Sequence, residues 1–310
     1  MTELEPFRLG VKFSERVWGR MSLAPWYGDA FSTPVGEAWL TSEGSLVETG
    51  PYAGRSLREM QNEFSQQLLG EGHAEFPLLV KLLFPEDKLS VQVHPDDDDA
   101  AALGGTARAK TECWYVLEAE PGASLSLGLK PGTTEAAVRA ALGNEAFEDL
   151  MHEEPVKAGD MVFVEAGTVH AIGPGLVILE VQQTSDTTYR LYDYGRPREL
   201  HLEDGMKVIK INNASGKVTP RAVDGCTELI AVKFFSVVRC EVAAGASVPV
   251  KGTRTPECLV GLGGAGTVVH GATRIELRVA QAIMIPACVE AYSVEGGCSF
   301  VRCIAPAASD

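Results

Sequence analysis

Short β-rich segments separated by turn residues recur along most of this 310-residue chain. They are rich in branched and aromatic residues and lie between clusters of Gly, Pro and Asp, the pattern of strands joined by tight turns. The clearest segments are LSVQVH, CWYVLEA, MVFVEA, LVILEVQQT, FFSVVRCEV, AIMIPA and SFVRCIA. Such a chain is typical of a mainly β fold built as a barrel or jelly roll.

Two stretches are predicted to be helices inserted among the strands. The segment SLREMQNEFSQQLLG, residues 56–70, has Ser56 as its predicted N-cap and Gly70 as its predicted stop. The segment TTEAAVRAALGNEAFEDLMHE, residues 133–153, carries apolar residues at helical spacing after its two threonines. We therefore expect a β fold with a few helical insertions.

The four consecutive aspartates from Asp96 to Asp99 invite a calcium-binding interpretation. They lack the spaced ligand pattern of a calcium loop. Acidic side chains favour helix N-termini, and the sequence continues as AAAL. We interpret the run as a solvated turn that caps a short helix.

The order of strand patterns in the first half of the chain is repeated in the second half. The aligned segments are 111–128 with 256–271 and 159–172 with 280–293. This alignment places Glu112 on Glu257 and His170 on Ala291. The sequence therefore predicts two β-barrels derived from one pattern.

Composition limits the partners of the chain. A net charge of -15 argues against a nucleic-acid partner, although local Lys and Arg can still form a pocket for a phosphorylated small substrate. No apolar run reaches the roughly 18 residues of a membrane helix. The N-terminal MTELEPFRLG lacks the basic and apolar regions of a signal peptide. We expect a soluble cytoplasmic monomer or homodimer without a membrane partner.

Seven cysteines are present, an odd number, and no CxxC pair occurs. A disulfide framework is not expected in this setting. The sequence predicts free thiols buried on strands, since free cysteine behaves as a small hydrophobe.

Four polar residues form a candidate metal site. Gln92 and His94 share one face of a strand because side chains alternate with period two. Glu112 opens the strand ECWYVL, and His170 follows the turn EAGTVH. Two imidazoles, a carboxylate and an amide oxygen suit a borderline divalent ion, with solvent or substrate completing its coordination.

The turn before His170 resembles the second sequence motif of cupin barrels, Gly-x5-Pro-x-Gly-x-x-His. Gly159, Gly167 and His170 match this motif, and Glu165 stands where proline is usual. The second copy of the repeat has neither the Gln-x-His pair nor the distant histidine. We therefore expect the second barrel to be degenerate and free of metal.

Longer blocks carry a closer resemblance. The blocks FPLLVKLLFPEDKLSVQVHPDD, AKTECWYVLEA, GTVHAIG and LEVQQTSDTTYRLYDYGR are similar to the signature blocks of type I mannose-6-phosphate isomerases in their short bacterial form. The resemblance extends roughly over residues 6–305. It implies a bicupin with a catalytic domain at 1–220 and a degenerate domain at 221–310. It also implies a zinc enzyme that interconverts mannose 6-phosphate and fructose 6-phosphate.

The resemblance assigns roles by position. One Zn²⁺ per chain is implied at Gln92, His94, Glu112 and His170. The catalytic arginine of the family falls on Arg190. The lysine that precedes the glutamate ligand falls on Lys110, after Ala109 where the family often has glycine.

The isomerisation chemistry suggests what these residues do. An enediolate gains negative charge on its oxygens, and we expect Arg190 to stabilise it and Lys110 to direct positive charge toward the sugar or its phosphate. Lys81 and Arg196 are weaker candidates for phosphate binding. Glu180 is open among three roles: general base, partner of a ligand histidine, or structural group.

Three other functions remain open from the sequence. The first is an isomerase for another aldose or aldose phosphate. The second is an iron-dependent cupin oxygenase, because two histidines and one carboxylate also describe the non-haem iron triad. The third is a non-catalytic sugar-sensing cupin, which should lack the arginine or a ligand.

Overall fold

The computed structural model describes residues 3–28 and 30–307, and it is mainly β as the sequence predicts. The strands are β1 (Phe7–Leu9), β2 (Lys12–Arg20), β3 (Val35–Trp39), β4 (Leu78–Leu83), β5 (Val91–Val93), β6 (Glu112–Ala119), β7 (Ser124–Leu129), β8 (Met151–Pro155), β9 (Met161–Val164), β10 (His170–Ile172), β11 (Leu176–Gln183), β12 (Tyr189–Tyr192), β13 (Gly216–Val218), β14 (Arg221–Val223), β15 (Cys226–Val232), β16 (Phe235–Val242), β17 (Ser247–Lys251), β18 (Glu257–Gly264), β19 (Gly266–His270), β20 (Thr273–Leu277), β21 (Ala282–Ile285), β22 (Ala291–Glu295) and β23 (Cys298–Ile304). The helices are α1 (Leu57–Leu69), α2 (Asp97–Leu103), α3 (Glu135–Ala141), α4 (Ala146–Leu150) and α5 (Leu202–Val208).

The strands form two units, each made of a seven-stranded sheet and a smaller sheet. In the first unit the orders are β13-β9-β6-β11-β4-β3-β2 and β12-β5-β10-β7-β8. In the second unit they are β1-β21-β18-β23-β16-β15-β14 and β17-β22-β19-β20. The orders correspond strand by strand, and β12 has no counterpart among the described residues of the second unit. The repeat read from the sequence is therefore also a repeat of topology.

Apolar layers join the four sheets. Within each unit a cluster of buried side chains fills the space between the large and the small sheet. A third cluster lies between the two seven-stranded sheets and includes residues of α1. Ile178 of β11 packs inside the first unit, and its neighbour Leu179 packs in the layer between units. This two-sided burial explains why the sequence of β11 is nearly continuously apolar.

The structure has pairs of stacked sheets where the sequence predicts closed barrels. The two sheets of each unit stack face to face, and the hydrogen-bonded ladders of the described strands do not close into a ring. The N-terminal strand β1 also crosses between units, since Phe7 pairs with Met284 of β21. Strand β13 pairs within the first unit, and β14 pairs within the second.

The helix predictions are partly confirmed. Helix α1 begins after Ser56, whose side chain forms a capping box with Glu59, and it ends at Gly70. Helix α2 has Asp96 as its N-cap, and Asp96 and Asp99 cap each other reciprocally. The aspartate run is therefore a helix start, as predicted.

The prediction of one helix over 133–153 is wrong. The chain forms α3, then α4, and continues directly as strand β8 from Met151. Gly143 between the two helices has a φ of 75°, a left-handed conformation that interrupts a right-handed helix.

The prediction that all cysteines are free is also wrong. Cys226 and Cys240 form a disulfide, because the β15–β16 hairpin pairs Thr227 with Arg239 and so brings the flanking cysteines opposite each other. The other cysteines are free, and all but Cys288 are buried. Within 3–28 and 30–307, no helix has the length and apolar character needed to cross a bilayer.

Candidate active site

A row of polar side chains crosses the small sheet of the first unit. Strand β5 lies between β10 and β12, so Gln92 is the direct neighbour of both His170 and Arg190. Directly opposed residues project from the same face of a sheet. His94 follows β5 by one position and lies on that face as well, as the alternation predicts.

The structure brings three of the predicted ligands together in a buried cluster. Nε2 of His170 lies 3.3 Å from Oε1 of Glu112, and Nε2 of His94 lies 3.8 Å from the same oxygen. Side-chain atoms of the three residues lie within 4.8 Å of one another. Glu112 opens β6 in the facing sheet, so the cluster joins both sheets of the unit.

Gln92 completes the set. Its amide nitrogen lies 3.2 Å from Nε2 of His170. The oxygen and nitrogen of an amide exchange places by a half-turn of the side chain, so the same position can offer an oxygen ligand.

Backbone carbonyls orient both imidazoles. Nδ1 of His94 lies 2.8 Å from the carbonyl of Thr187, and Nδ1 of His170 lies 2.9 Å from the carbonyl of Thr168. Each Nδ1 therefore carries the hydrogen, and each Nε2 directs a lone pair at the cluster centre. Burial lowers the pKa of His170 to about 4 and the pKa of His94 well below its usual range. Both rings are thus neutral, the state that binds metals.

Glu112 is the group that most requires a cation. Its carboxylate is buried, and Oε1 accepts no hydrogen bond from any residue that the structure describes. Burial raises the pKa of Glu112 to about 7, against the opposing effect of Lys110. A buried acceptor without a donor costs free energy, and here two imidazole lone pairs face it. A divalent metal ion fits this donor set.

Lys110 lies beside the cluster. Its ammonium nitrogen is 2.7 Å from Oε2 of Glu112 and 3.1 Å from Nε2 of His94. Burial alone would lower the pKa of Lys110, but the charges of Glu112 and Glu180 raise it above its usual value. The side chain is therefore a fixed cation at the wall of the neighbouring cavity.

A cavity of about 380 Å³ opens next to the cluster. Among the predicted site residues, those that line it are Lys81, Gln92, Lys110, Glu180 and Arg190. The net charge of the chain is -15, yet the cavity wall carries more cations than carboxylates. The five cations are Arg16, Lys81, Lys110, Arg190 and Arg198, and the four acidic side chains are Glu15, Glu37, Glu180 and Asp186. The cavity is thus locally more positive than the protein around it.

Lys81 and Glu180 form a buried pair on the cavity wall. They are direct partners across β4 and β11, and Nζ of Lys81 lies 3.4 Å from Oε1 of Glu180. Trp114 donates a 3.2 Å hydrogen bond to the other oxygen of Glu180. Burial would raise the pKa of Glu180, but Lys110, Lys81 and the Trp114 hydrogen bond outweigh it and lower the pKa. Glu180 is therefore ionised at neutral pH.

Arg190 is the cavity arginine that forms no ion pair with a described residue. Its Nη1 donates a 2.7 Å hydrogen bond to the carbonyl of Glu199, and its buried Nε has no partner among the described residues. Burial lowers its pKa, and the charges of Arg198 and Arg16 lower it further. Unused donors in a positive field are suited to bind an anionic group.

Arg196 is not brought to the cavity. Its guanidinium pairs with Asp87 and lies 3.3 Å from Asp193. The arginine that reaches the cavity from this segment is Arg198, held by Asp193 through two 2.6 Å hydrogen bonds. The chain turns at Tyr194 and Gly195, both at positive φ, and simple strand alternation does not extend past that turn.

Sequence reasoning missed Arg16 and Glu37 as cavity residues. Arg16 donates 3.0 and 2.9 Å hydrogen bonds to the two oxygens of Glu37, and Trp39 donates a third at 2.6 Å. The two residues are brought together by the pairing of β2 with β3, a tertiary feature that neither segment indicates by itself.

In the second unit, the position that corresponds to the cluster of His94, Glu112 and His170 is occupied by an arginine side chain. Glu257 begins β18 and accepts two 2.9 Å hydrogen bonds from Arg302. Tyr292 contacts the same carboxylate at 3.3 Å, whereas Ala291 is exposed. The side chain that faces the carboxylate in the second unit is therefore Tyr292, one position after the residue that the sequence alignment pairs with His170.

Comparisons with known proteins identify the family of the chain. A family model described as the catalytic domain of type I phosphomannose isomerase matches residues 6–128. The chain is 35% identical to a mannose-6-phosphate isomerase of Streptococcus mutans over 308 residues, covering 94% of this chain and 96% of the relative. It is 33% identical to the mannose-6-phosphate isomerase ManA of Bacillus subtilis, covering 97% and 98%.

Solved structures indicate the same family. The crystal structure of the mannose 6-phosphate isomerase from Bacillus subtilis superposes with a TM-score of 0.86 at 28% identity, covering 97% of this chain and 99% of the other. Near-complete coverage in both directions means that the two chains share both units. This enzyme chain therefore belongs to the type I mannose-6-phosphate isomerase family.

Proposed function

We propose that this isomerase interconverts mannose 6-phosphate and fructose 6-phosphate with one Zn²⁺ held by Gln92, His94, Glu112 and His170. The observation that carries the proposal is the buried Oε1 of Glu112, which faces two imidazole lone pairs and no donor. A protein of the same fold, 18% identical, is described as a mannose 6-phosphate isomerase bound with zinc and yttrium. The locally positive cavity suits a sugar phosphate.

The reaction moves a proton between two adjacent carbons of the sugar through an enediolate. When bound, the zinc ion supplies Lewis-acid charge for the sugar oxygens. Arg190 presents unpaired guanidinium donors from the cavity wall, and a guanidinium stays protonated at any working pH. These donors stabilise the negative charge that develops on the enediolate oxygens.

Glu180 is the proposed general base. Its carboxylate is buried on the cavity wall, and its lowered pKa keeps it ionised and able to accept a proton at neutral pH. Glu37, the other buried carboxylate on this wall, is occupied by hydrogen bonds from Arg16 and Trp39. Lys81, 3.4 Å away, holds its position and its charge. Asp186 also lines the cavity, but its side chain is 61% exposed and therefore less fixed.

Lys110 and Arg198 position the substrate in this proposal. Lys110 carries a fixed charge between the metal cluster and the cavity, so it can contact the sugar or its phosphate. Arg198 is held in a fixed orientation by Asp193 and lines the same cavity as Arg190. We place no phosphate contact on Arg196, because its guanidinium is directed at Asp87 and Asp193.

The wider architecture belongs to the proposal as well. Each pair of stacked sheets corresponds to a cupin jelly roll, with a catalytic domain at 1–220 and a degenerate, metal-free domain at 221–310. We also propose a cytoplasmic monomer or homodimer.

Metal analysis combined with an oxygen electrode separates this function from an iron-dependent oxygenase. We expect about one zinc per chain and no oxygen uptake with sugar phosphates. Stoichiometric iron with oxygen uptake would reject the isomerase mechanism. A protein with zinc that isomerises another aldose faster than mannose 6-phosphate would correct the substrate alone.

A further inference from the structure

A second cavity opens in the second unit, at the place that corresponds to the active-site cavity of the first. Its volume is about 630 Å³. Strands β14, β15, β16, β17 and β23 line it, and these are the topological equivalents of β2, β3, β4, β5 and β11. A cavity of this size is within the range of small-molecule sites.

The wall of the second cavity is apolar where the wall of the first is charged. Val238 and Arg302 hold the paired positions in β16 and β23 that Lys81 and Glu180 hold in β4 and β11. Both oxygens of Glu257 bind Arg302, so the guanidinium charge at the cavity floor is neutralised. The charged groups that would suit a sugar phosphate have therefore been replaced.

The remaining wall is formed by apolar side chains that are only partly covered. Val238, Val248 and Cys226 are half-buried, and Phe300 lies behind them. Replacing the water against such a wall by an apolar group lowers the free energy. The wall offers few partners for the hydroxyl groups of a sugar.

Cations stand at the mouth of this cavity. Lys251 is exposed and forms no ion pair with a described residue. Arg254 lies 3.8 Å from Glu290, but both side chains are at least 80% exposed and the pair is weak. Asp224 is the acidic residue on the lining. On the lining of the mouth two cations, Lys251 and Arg254, thus stand against one carboxylate, above an apolar wall.

The cavity is open along one strand edge, and that edge does not suit a protein strand. Strand β12 covers the corresponding edge of β5 in the first unit, whereas β17 ends its sheet. Pro249 in the middle of β17 has no amide hydrogen to offer an incoming strand. A small molecule is thus a better occupant than an added strand.

We propose that this cavity binds a small monocarboxylate that carries an aliphatic or aromatic group. The apolar group lies against Val238, Val248 and Phe300, and the carboxylate lies between Lys251 and Arg254 at the mouth. The inference concerns a site separate from the active site and stands whether or not the proposed zinc mechanism is correct.

Hexanoate is the probe. The controls are hexanol, which lacks the charge, and acetate, which lacks the longer alkyl chain. Calorimetry and saturation-transfer NMR should give a dissociation constant on the order of 1 mM for hexanoate. Hexanol and acetate should bind at least about fivefold more weakly, because each loses one of the two contributions. Equal binding of all three would overturn the proposal, and so would no hexanoate binding at about 10 mM.

Variants locate the site. Val238→Trp should fill the cavity and abolish hexanoate binding, and the double variant Lys251→Ala with Arg254→Ala should weaken it about fivefold or more. Matched controls are Ile211→Trp, at another partly exposed aliphatic residue, and Lys130→Ala with Arg139→Ala on the first unit. Isomerase turnover, which uses none of these residues, reports that each variant is folded.

Two results of the variant experiments would contradict the assignment. Hexanoate binding that survives both Val238→Trp and the double lysine–arginine variant would place the ligand elsewhere. A dimer that becomes a monomer in Val238→Trp, measured by light scattering, would show that a second copy of the chain occupies the cavity instead.

Discussion

Glu112 and Glu257 begin equivalent strands of the two units, yet Glu112 faces two imidazoles and Glu257 binds a guanidinium. The residue that makes the difference is Arg302, which takes the strand position of Glu180. In the first unit Lys110 approaches only Oε2 of Glu112 and leaves Oε1 without a donor, whereas in the second unit Arg302 binds both oxygens of Glu257.

The pair of Glu257 and Arg302 should be important for stability. Arg302→Ala leaves a buried carboxylate without its partner, and we expect a loss of about 3–5 kcal/mol in the free energy of unfolding. Urea denaturation measures it. Arg239→Ala, which removes a partly exposed arginine of β16, should cost less than about 1 kcal/mol. A similar small cost at Arg302 would mean that Glu257 is stabilised without it.

The metal cluster should depend on His94. His94→Ala removes one of the two oriented Nε2 atoms of the proposed zinc site, so we expect both zinc and isomerase activity to be lost. Zinc is measured by mass spectrometry after dialysis. His152→Ala, at an exposed histidine, is the matched control and should keep both. Stoichiometric zinc in the His94 variant would show that the metal binds elsewhere.

Arg190 should act on turnover and not on the metal. We expect Arg190→Ala to keep its zinc and to lower kcat by about 10²–10³, the usual effect of removing one donor from a developing oxyanion. Arg139→Ala, on an exposed helix, should leave kcat unchanged. Normal turnover in the Arg190 variant would remove the role assigned to this residue.

Glu180 is tested by an isosteric change. Glu180→Gln keeps the shape and removes the base, so kcat should fall by about 10²–10⁴ with the zinc content preserved. Glu118→Gln, at an exposed carboxylate of β6, is the control. If Asp186→Asn lowers kcat more than Glu180→Gln does, the base has been misassigned.

The lowered pKa of Glu180 determines how its titration should affect isomerase activity as the pH changes. Its ionised form is present above the folded-state pKa, which lies below the usual 4.5, and is lost as the pH falls through that value. Titration of Glu180 should therefore not reduce activity between about pH 6 and 8. An acid limb near pH 6 that disappears in Glu180→Gln would contradict the lowered pKa.

Local patterns in the sequence were sufficient to predict much of the fold and the cluster of four polar residues. Period-two alternation predicts that Gln92 and His94 share a face, and the capping signals at Ser56 and Asp96 predict where helices begin. Each of these features depends on residues close together in the chain.

The remaining features depend on tertiary pairing, which no single segment encodes. The Cys226–Cys240 disulfide follows from the register of a hairpin, and the contact of Arg16 with Glu37 follows from the pairing of β2 with β3. Arg198 reaches the cavity in place of Arg196 because of the turn at Tyr194. The ladders of each unit stay open, which strand patterns alone do not reveal.

The most direct test of the central claim is a coupled assay on mannose 6-phosphate before and after treatment with a chelator. The account predicts turnover by the untreated enzyme, loss of activity after chelation, and recovery when one equivalent of Zn²⁺ is added back. Full activity in protein shown to be free of metal would contradict the assignment of Gln92, His94, Glu112 and His170 as the zinc ligands of the catalytic centre.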